Sequence, residues 1–169
     1  MKIRDAMADD APAIARIYNQ GIEDRVATLE TQLRTPEERA GWLAGRDARH
    51  PVLVAVDDDG SVVGWCSLNA FNPRPAYDLV ADFSVYVARE ARGRGIGDAL
   101  LTALEIRAPT LGYHKLVLAA FPHNAAGMRL YERHGFTTVG IYREHGWLDG
   151  RWVDVIVMEK ILDATTGVA

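Results

Sequence analysis

The chain of 169 residues contains one cysteine, Cys66, so no internal disulfide can form and a buried core must hold the fold. A domain of this size buries about 70% of its unfolded surface, which is enough for such a core without staples. Long apolar runs are missing: Val52–Val56 and Leu116–Phe121 fall far short of the roughly 18 residues a membrane-spanning helix needs. No membrane partner is therefore expected. The opening Met1-Lys2-Ile3-Arg4-Asp5 has no apolar stretch of the secretory kind, which makes a cytoplasmic location the expectation. Basic charge is also not in excess. Nineteen Lys and Arg stand against 23 Asp and Glu, a net charge of −4 that disfavours nucleic acid as a partner. His50, His114, His123, His134 and His145 show neither His-Glu-x-x-His nor paired-cysteine spacing, so no metal site is expected. With 49% hydrophobic and 25% charged residues, and no repeats, the sequence reads as a single domain over 1–162 followed by a flexible tail over 163–169.

Ile3 begins a short strand, and Asp9, Asp10 and Pro12 open a helix that carries Ile14, Ile17, Tyr18 and Ile22 at helical spacing. After a loop, Thr35-Pro36-Glu37-Glu38 matches a capping box and starts a helix with Trp42 and Leu43. Residues 51–68 read as a hairpin around Asp58-Asp59-Gly60. The prolines of Phe71-Asn72-Pro73-Arg74-Pro75 exclude a central strand there, and a long strand follows from Leu79 to Val87. Ile96, Leu100, Ala103 and Leu104 form the apolar stripe of a helix over 96–107, with Pro109 marking its end. Lys115–Phe121 is a strand, Asn124 caps a helix to Arg133, and Gly135 has the position of a left-handed stop. Strands over 137–145 and 151–161 flank Asp149-Gly150. The order β-α-α-β-β-β-α-β-α-β-β predicts a mixed α/β sheet with helices on both faces.

Arg92-Gly93-Arg94-Gly95-Ile96-Gly97 joins the strand ending Val85-Tyr86-Val87 to the helix that Ile96 opens. Glycines let backbone N–H groups approach an oxyanion, the helix terminus adds partial positive charge, and the arginines add full charge. The guest this chemistry suits is a phosphate. A P-loop is excluded because Asp98, not Lys, follows Gly97, and Asp98 also stands where a dinucleotide fingerprint needs its third glycine. A glycine-rich connector with solvated arginines is the alternative.

Arg92, Gly95 and Gly97 match the Gln/Arg-x-x-Gly-x-Gly/Ala loop of the GNAT N-acetyltransferase superfamily. Asn124, Leu130, Tyr131, Gly135 and Phe136 resemble its second signature, in the same element order. Ile17-Tyr18-Asn19, Ala76-Tyr77-Asp78, Ser84-Val85-Tyr86-Val87 and Gly150-Arg151-Trp152-Val153-Asp154 look like landmarks of the phosphinothricin and methionine sulfone/sulfoximine acetyltransferases. The resemblance implies a mostly antiparallel seven-stranded sheet and acetyl-CoA as cosubstrate, bound by Val85, Tyr86, Val87, Arg92, Gly93, Arg94, Gly95, Ile96, Gly97, Asp98, Asn124 and Tyr131. It further implies a small amino-acid-like amine as acceptor and a homodimer, for which Trp147, Trp152 and the late strands offer an apolar surface; the four tryptophans are equally compatible with one core.

Within that resemblance Asp82 is the candidate base, standing where the family usually has a glutamate one methylene longer. Strand alternation puts Asp82, Ser84 and Tyr86 on one face and Phe83, Val85 and Val87 on the other. A structural anchor or an ammonium clamp is the competing role for Asp82. Tyr131 resembles the tyrosine that protonates the departing thiolate, while helical spacing alone reads it as a core aromatic. Val85 and Val87 act through their backbones, with the Val85 N–H polarising the thioester oxygen. Asn124 caps its helix or bonds the pantetheine arm. Phe71, Arg74 and Tyr77 are candidate substrate residues, Arg74 because a guanidinium can hold a carboxylate bidentately; a solvent-facing loop arginine and ordinary packing are the alternatives. His123 and His145 are auxiliary-base candidates against a reading as polar surface. Cys66, beside Gly64 and Trp65 in an apolar strand, reads as inert packing, which disfavours an acyl-cysteine route. Two other functions fit the same motifs: acetylation of another amine such as a protein N-terminus, and a CoA-binding module with weakened catalysis.

Overall fold

In the computed structural model, which describes residues 1–162, the hairpin expected over 51–68 is the centre of one half of the sheet. Strand β1 (Lys2–Asp5) pairs antiparallel with β2 (Val52–Val56), β2 with β3 (Val62–Ala70), and β3 with β4 (Val80–Val87). Beyond it come β5 (Lys115–Ala120), β6 (Thr137–Leu148) and β7 (Arg151–Ile161), in the spatial order β1-β2-β3-β4-β5-β7-β6. Among the described residues the sheet has seven strands, and its single parallel pair is β4 with β5. The expected tail over 163–169 lies outside the described residues.

Among the described residues four α-helices cover the sheet: α1 (Ala11–Glu23), α2 (Pro36–Ala44), α3 (Ile96–Thr110) and α4 (Ala125–Arg133). Alternation along β3 assigns their sides. Trp65 packs against Tyr18 of α1 and Trp42 of α2, with ring centroids 6.0 and 5.6 Å apart. Its neighbours point the other way: a Cβ on Gly64 would lie 3.0 Å from Ile96 and Leu100, and the Cys66 thiol donates to Leu100 O of α3. Phe83 of β4, opposite Leu68, meets Tyr131 of α4 on that same side. Helices therefore lie on both faces, as the pattern predicts.

Local signals explain most boundaries. Thr35 Oγ1 accepts from Glu38 N at 3.1 Å while Glu38 returns a carboxylate to Thr35 N at 2.7 Å, the reciprocal capping box expected. Gly135, at φ 78°, ends α4 in a Schellman turn, with Phe136 N donating to Tyr131 O and Gly135 N to Glu132 O. The end of α3 differs from expectation. Pro109 lies inside its last turn, where its fixed φ is helical and its missing N–H removes one bond at most. The stop is Gly112, at φ 86°, in a second Schellman turn closed by Tyr113 N to Ala108 O and Gly112 N to Pro109 O. Strand β6 also runs past His145 to Leu148, carried across a bulge between Tyr142 and Gly146.

Candidate active site

The site begins where β4 and β5 part. Their parallel pairing covers Val80–Asp82 against Lys115–Val117 and then stops, although β4 continues to Val87 and β5 to Ala120. On its other edge β4 stays in unbroken register with β3. Ala88 N donates to Val63 O, and in an antiparallel ladder the direction of bonding alternates, so Phe83, Val85 and Val87 turn their backbone groups away from β3 and into the gap. A wedge results, lined by amides and carbonyls of β4 that no neighbouring strand pairs.

Two cavities meet along this wedge. The larger, about 390 Å³, is lined by Val85, Tyr86 and Val87, by Arg92, Gly93, Gly95, Ile96, Gly97 and Asp98, and by Asn124 and Tyr131 of the α4 segment. The smaller, about 250 Å³, reaches Asp82, Phe83 and Ser84 and shares Val85, Tyr86, Asn124 and Tyr131 with its neighbour. The structure thus gathers nearly all of the expected nucleotide-side residues around one groove. Gly93 and Gly95 both have φ of +77°, a conformation that side chains with a Cβ rarely adopt, and open space lies where a Cβ would project. The turn they form points the first amides of the 15-residue helix α3 at the groove.

Charges around the turn are already paired. Arg92 bridges to Asp24 at 2.6 Å and its Nε donates to Val87 O at 3.3 Å. Asp98 receives Arg133 through both oxygens, at 2.8 and 2.9 Å, which ties α3 to α4 beside the groove and holds the Asp98 carboxyl below its ordinary value. Arg94 departs from expectation: it bridges to Asp57 at 2.8 Å and does not line the groove, because the left-handed turn at Gly95 carries it toward the β2–β3 end. The Ile96 side chain is core, 2% exposed, so whatever it offers a ligand comes from its backbone.

At the deep end, Asp82 is partly buried, and this burial pushes its carboxyl up to about 6. Tyr131 packs edge-on to Phe83, with centroids 6.0 Å apart, while lining both cavities, so its core and cavity roles coexist. Burial and, secondarily, the Asp82 charge push its phenol up to about 12. Asn124 Oδ1 accepts from Gly127 N at 3.0 Å, the cap expected, and lines both cavities as well.

Phe71, Arg74 and Tyr77 are not brought into either cavity. The two prolines around Arg74 and a short 3-10 turn over Pro75–Tyr77 carry all three onto an exposed loop, where Phe71 and Tyr77 pack on each other at 5.4 Å. That loop still leaves β3 at Ala70, the partner of Ala81, next to the Asp82 end of the wedge. Sequence reasoning missed the α1–α2 loop, whose Val26, Ala27, Thr28 and Leu29 line the groove; no motif marks it, and its length between two helices was the one available signal. Among the described residues no cluster of His, Cys, Asp and Glu is arranged to hold a metal ion, and no helix is long and apolar enough to cross a membrane.

Cys66 is fully buried, and burial pushes its thiol well above the ordinary range. Cys66→Ala should therefore keep turnover within about twofold of wild type, and the folded protein should resist thiol alkylation. Loss of turnover in a folded Cys66→Ala variant would reinstate a covalent route.

The model of the acetyltransferase (GNAT) family matches residues 14–136. The L-methionine sulfoximine/L-methionine sulfone acetyltransferase of Pseudomonas paraeruginosa is 38% identical over 167 residues, covering 96% of this chain and 95% of its own. A GNAT superfamily phosphinothricin acetyltransferase from Sinorhizobium meliloti, solved in complex with acetyl-CoA, superposes with a TM-score of 0.91 at 32% identity, covering 99% of this chain and 91% of that one. A ribosomal-protein-alanine N-acetyltransferase structure from Brucella melitensis gives a TM-score of 0.91 at 38% identity, covering 96% and 100%.

Proposed function

Because the chain belongs to the acetyltransferase (GNAT) family and is an N-acetyltransferase that uses acetyl-CoA, we propose that its acceptor is the amino group of a small amino-acid-like molecule of the phosphinothricin, methionine sulfone or methionine sulfoximine type. The observation that carries this reading is the wedge between β4 and β5, which joins an anion-binding helix terminus to a carboxylate-lined slot. The residues present fit the cosubstrate. The turn with two left-handed glycines offers converging amides for a diphosphate, and the unpaired edge of β4 offers Val85 and Val87 for an amide-bearing arm.

When bound, acetyl-CoA supplies the acetyl group as a thioester open to direct attack by an amine. The amides of Gly93 to Asp98, with Arg92 beside them, hold the phosphates; Arg94 adds longer-range positive charge. The Val85 N–H points into the wedge, where it stabilises negative charge on a carbonyl oxygen. Asp82 takes the proton from the attacking amine, directly or through one water, and Tyr131 holds the proton that the departing thiolate needs. Asn124 fixes the start of α4 and so the position of Tyr131. Arg74, on the loop at the open end of the slot, suits the acceptor's carboxylate, with Phe71 and Tyr77 as the rim. A homodimer is also part of the proposal: β6 is an edge strand, and Trp147 and Trp152 stand exposed beside it with ring centroids 5.1 Å apart. Residues 1–162 act as one catalytic domain in the cytoplasm.

Acylation of a protein N-terminus is the second reading, favoured by the Brucella structure. Release of free CoA thiol with a panel of amino-acid analogues and alanine-ended peptides decides between them. Turnover of the analogues is expected; turnover of peptides alone would replace the proposal, and CoA binding without any turnover would leave a binding module.

A further inference from the structure

Gly146 lies in β6, and its φ is not positive, so backbone conformation does not call for glycine there. Space does. A Cβ at this position would fall 2.6 Å from Cδ2, 2.8 Å from Cδ1 and 3.3 Å from Cγ of Leu29. Leu29 belongs to the α1–α2 loop and lines the cavity that holds Asp82. Its isobutyl group therefore has Gly146 on one side and the slot on the other.

Both partners in this contact are held in place. The loop is tied at one end by Arg25 Nε to Asp149 Oδ2 at 3.0 Å. At the other end Asn19 and Arg34 exchange two hydrogen bonds, of 2.9 and 2.8 Å. On β6, Gly146 follows a bulge in which Arg143, Glu144 and His145 oppose Asp154 alone, and Glu144 N donates to Asp154 Oδ1 at 2.8 Å. With backbone braced on each side, the Leu29 side chain is what must yield to any added atom.

We propose that Gly146 is a specificity-determining residue: by lacking a Cβ it lets Leu29 lie back against β6, and this contact sets how large an acceptor side chain fits beside Asp82. The inference rests on the reading of this slot as the acceptor site. An added methyl at position 146 turns Leu29 into the slot and shortens it, whereas truncating Leu29 widens it. The acceptor class selected is an amino acid with a slim, unbranched aliphatic stem, since the Leu29 isobutyl group lines the space beside the carboxylate.

Steady-state kinetics with acceptors of increasing side-chain size test this in wild type, Gly146→Ala, Leu29→Ala, the double variant and Gly140→Ala. Gly140 serves as the control because open space lies where its Cβ would go on the same strand. Gly146→Ala should raise the KM of the larger acceptors by about tenfold, the effect of one methyl group in an apolar pocket, with kcat and CoA affinity within about twofold. The double variant should lose the KM defect and share the preference of Leu29→Ala, which should favour branched acceptors. An unchanged KM in Gly146→Ala, or a double variant that keeps the defect, would overturn the assignment while the acceptor reading stands. Should Gly146→Ala not fold, an unaltered acceptor preference in Leu29→Ala overturns it equally. Absence of turnover by wild type with every acceptor would instead bring down the acceptor reading and this inference together.

Discussion

Asp82→Asn should lower kcat/KM by about 10²-fold or more while leaving CoA affinity intact, because it removes the group proposed to take the amine's proton and nothing proposed to grip the phosphates. An aspartate at its ordinary pKa of about 3.9 is a poor base toward an α-ammonium near 8, a gap of about 5 to 6 kcal/mol. Burial at about 6 cuts that gap to about 3 kcal/mol. Wild-type kcat/KM should accordingly fall as pH drops through about 6, where the carboxylate is lost, and Asp82→Asn should lack this limb. Stability should move the opposite way. The folded-state pKa is raised from 3.8 to about 6, so the folded chain binds the proton more tightly than the unfolded one. The cost of burying the charge is absent below about 3.8, grows between the two values and is complete above about 6, where it amounts to about 3 kcal/mol. The asparagine variant should thus unfold at higher temperature than wild type at pH 8 and show no gain at pH 3. A variant with wild-type activity and an unaltered acidic limb would move the base to another residue.

Tyr131→Phe should reduce kcat by about 10- to 10²-fold with little change in CoA affinity or melting temperature, since the ring still fills its place against Phe83 and Phe136. The two groups are coupled through their charges. Burial keeps the phenol protonated, up to about 12, and the negative charge of Asp82 adds to that. In the proposed path, Asp82 loses its charge when it takes the amine's proton, and Tyr131 becomes the stronger acid at the moment the thiolate needs a proton. The double variant should therefore lose much less than the product of the two single losses, as groups acting in one proton path do. If Tyr131→Phe instead kept kcat, with or without a loss of stability, the tyrosine would be packing alone.

The glycine turn that opens α3 was legible because its demands are local. Left-handed backbone at Gly93 and Gly95 and free amides at a helix start are written in adjacent letters. The caps at Thr35, Asn124 and Gly135 were legible for the same reason. Pro109 misled because α3 runs through it to Thr110 and the left-handed stop falls at Gly112, a difference of a few residues. Arg94 misled because sequence places it in the turn without saying which way it faces, and Asp57, 37 positions earlier, draws it outward.

Composition and spacing alone determined a mixed sheet covered on both faces, a buried thiol, a glycine turn at the start of α3 and a carboxylate on the strand before it. The parting of β4 from β5, the pushed-up carboxyl of Asp82, its electrical contact with Tyr131 and the wall that Leu29 builds against Gly146 were decided only by the tertiary fold. Periodicity and capping involve neighbours a few residues apart, whereas the depth of a pocket and the dielectric around a charge depend on which distant segments come to lie side by side.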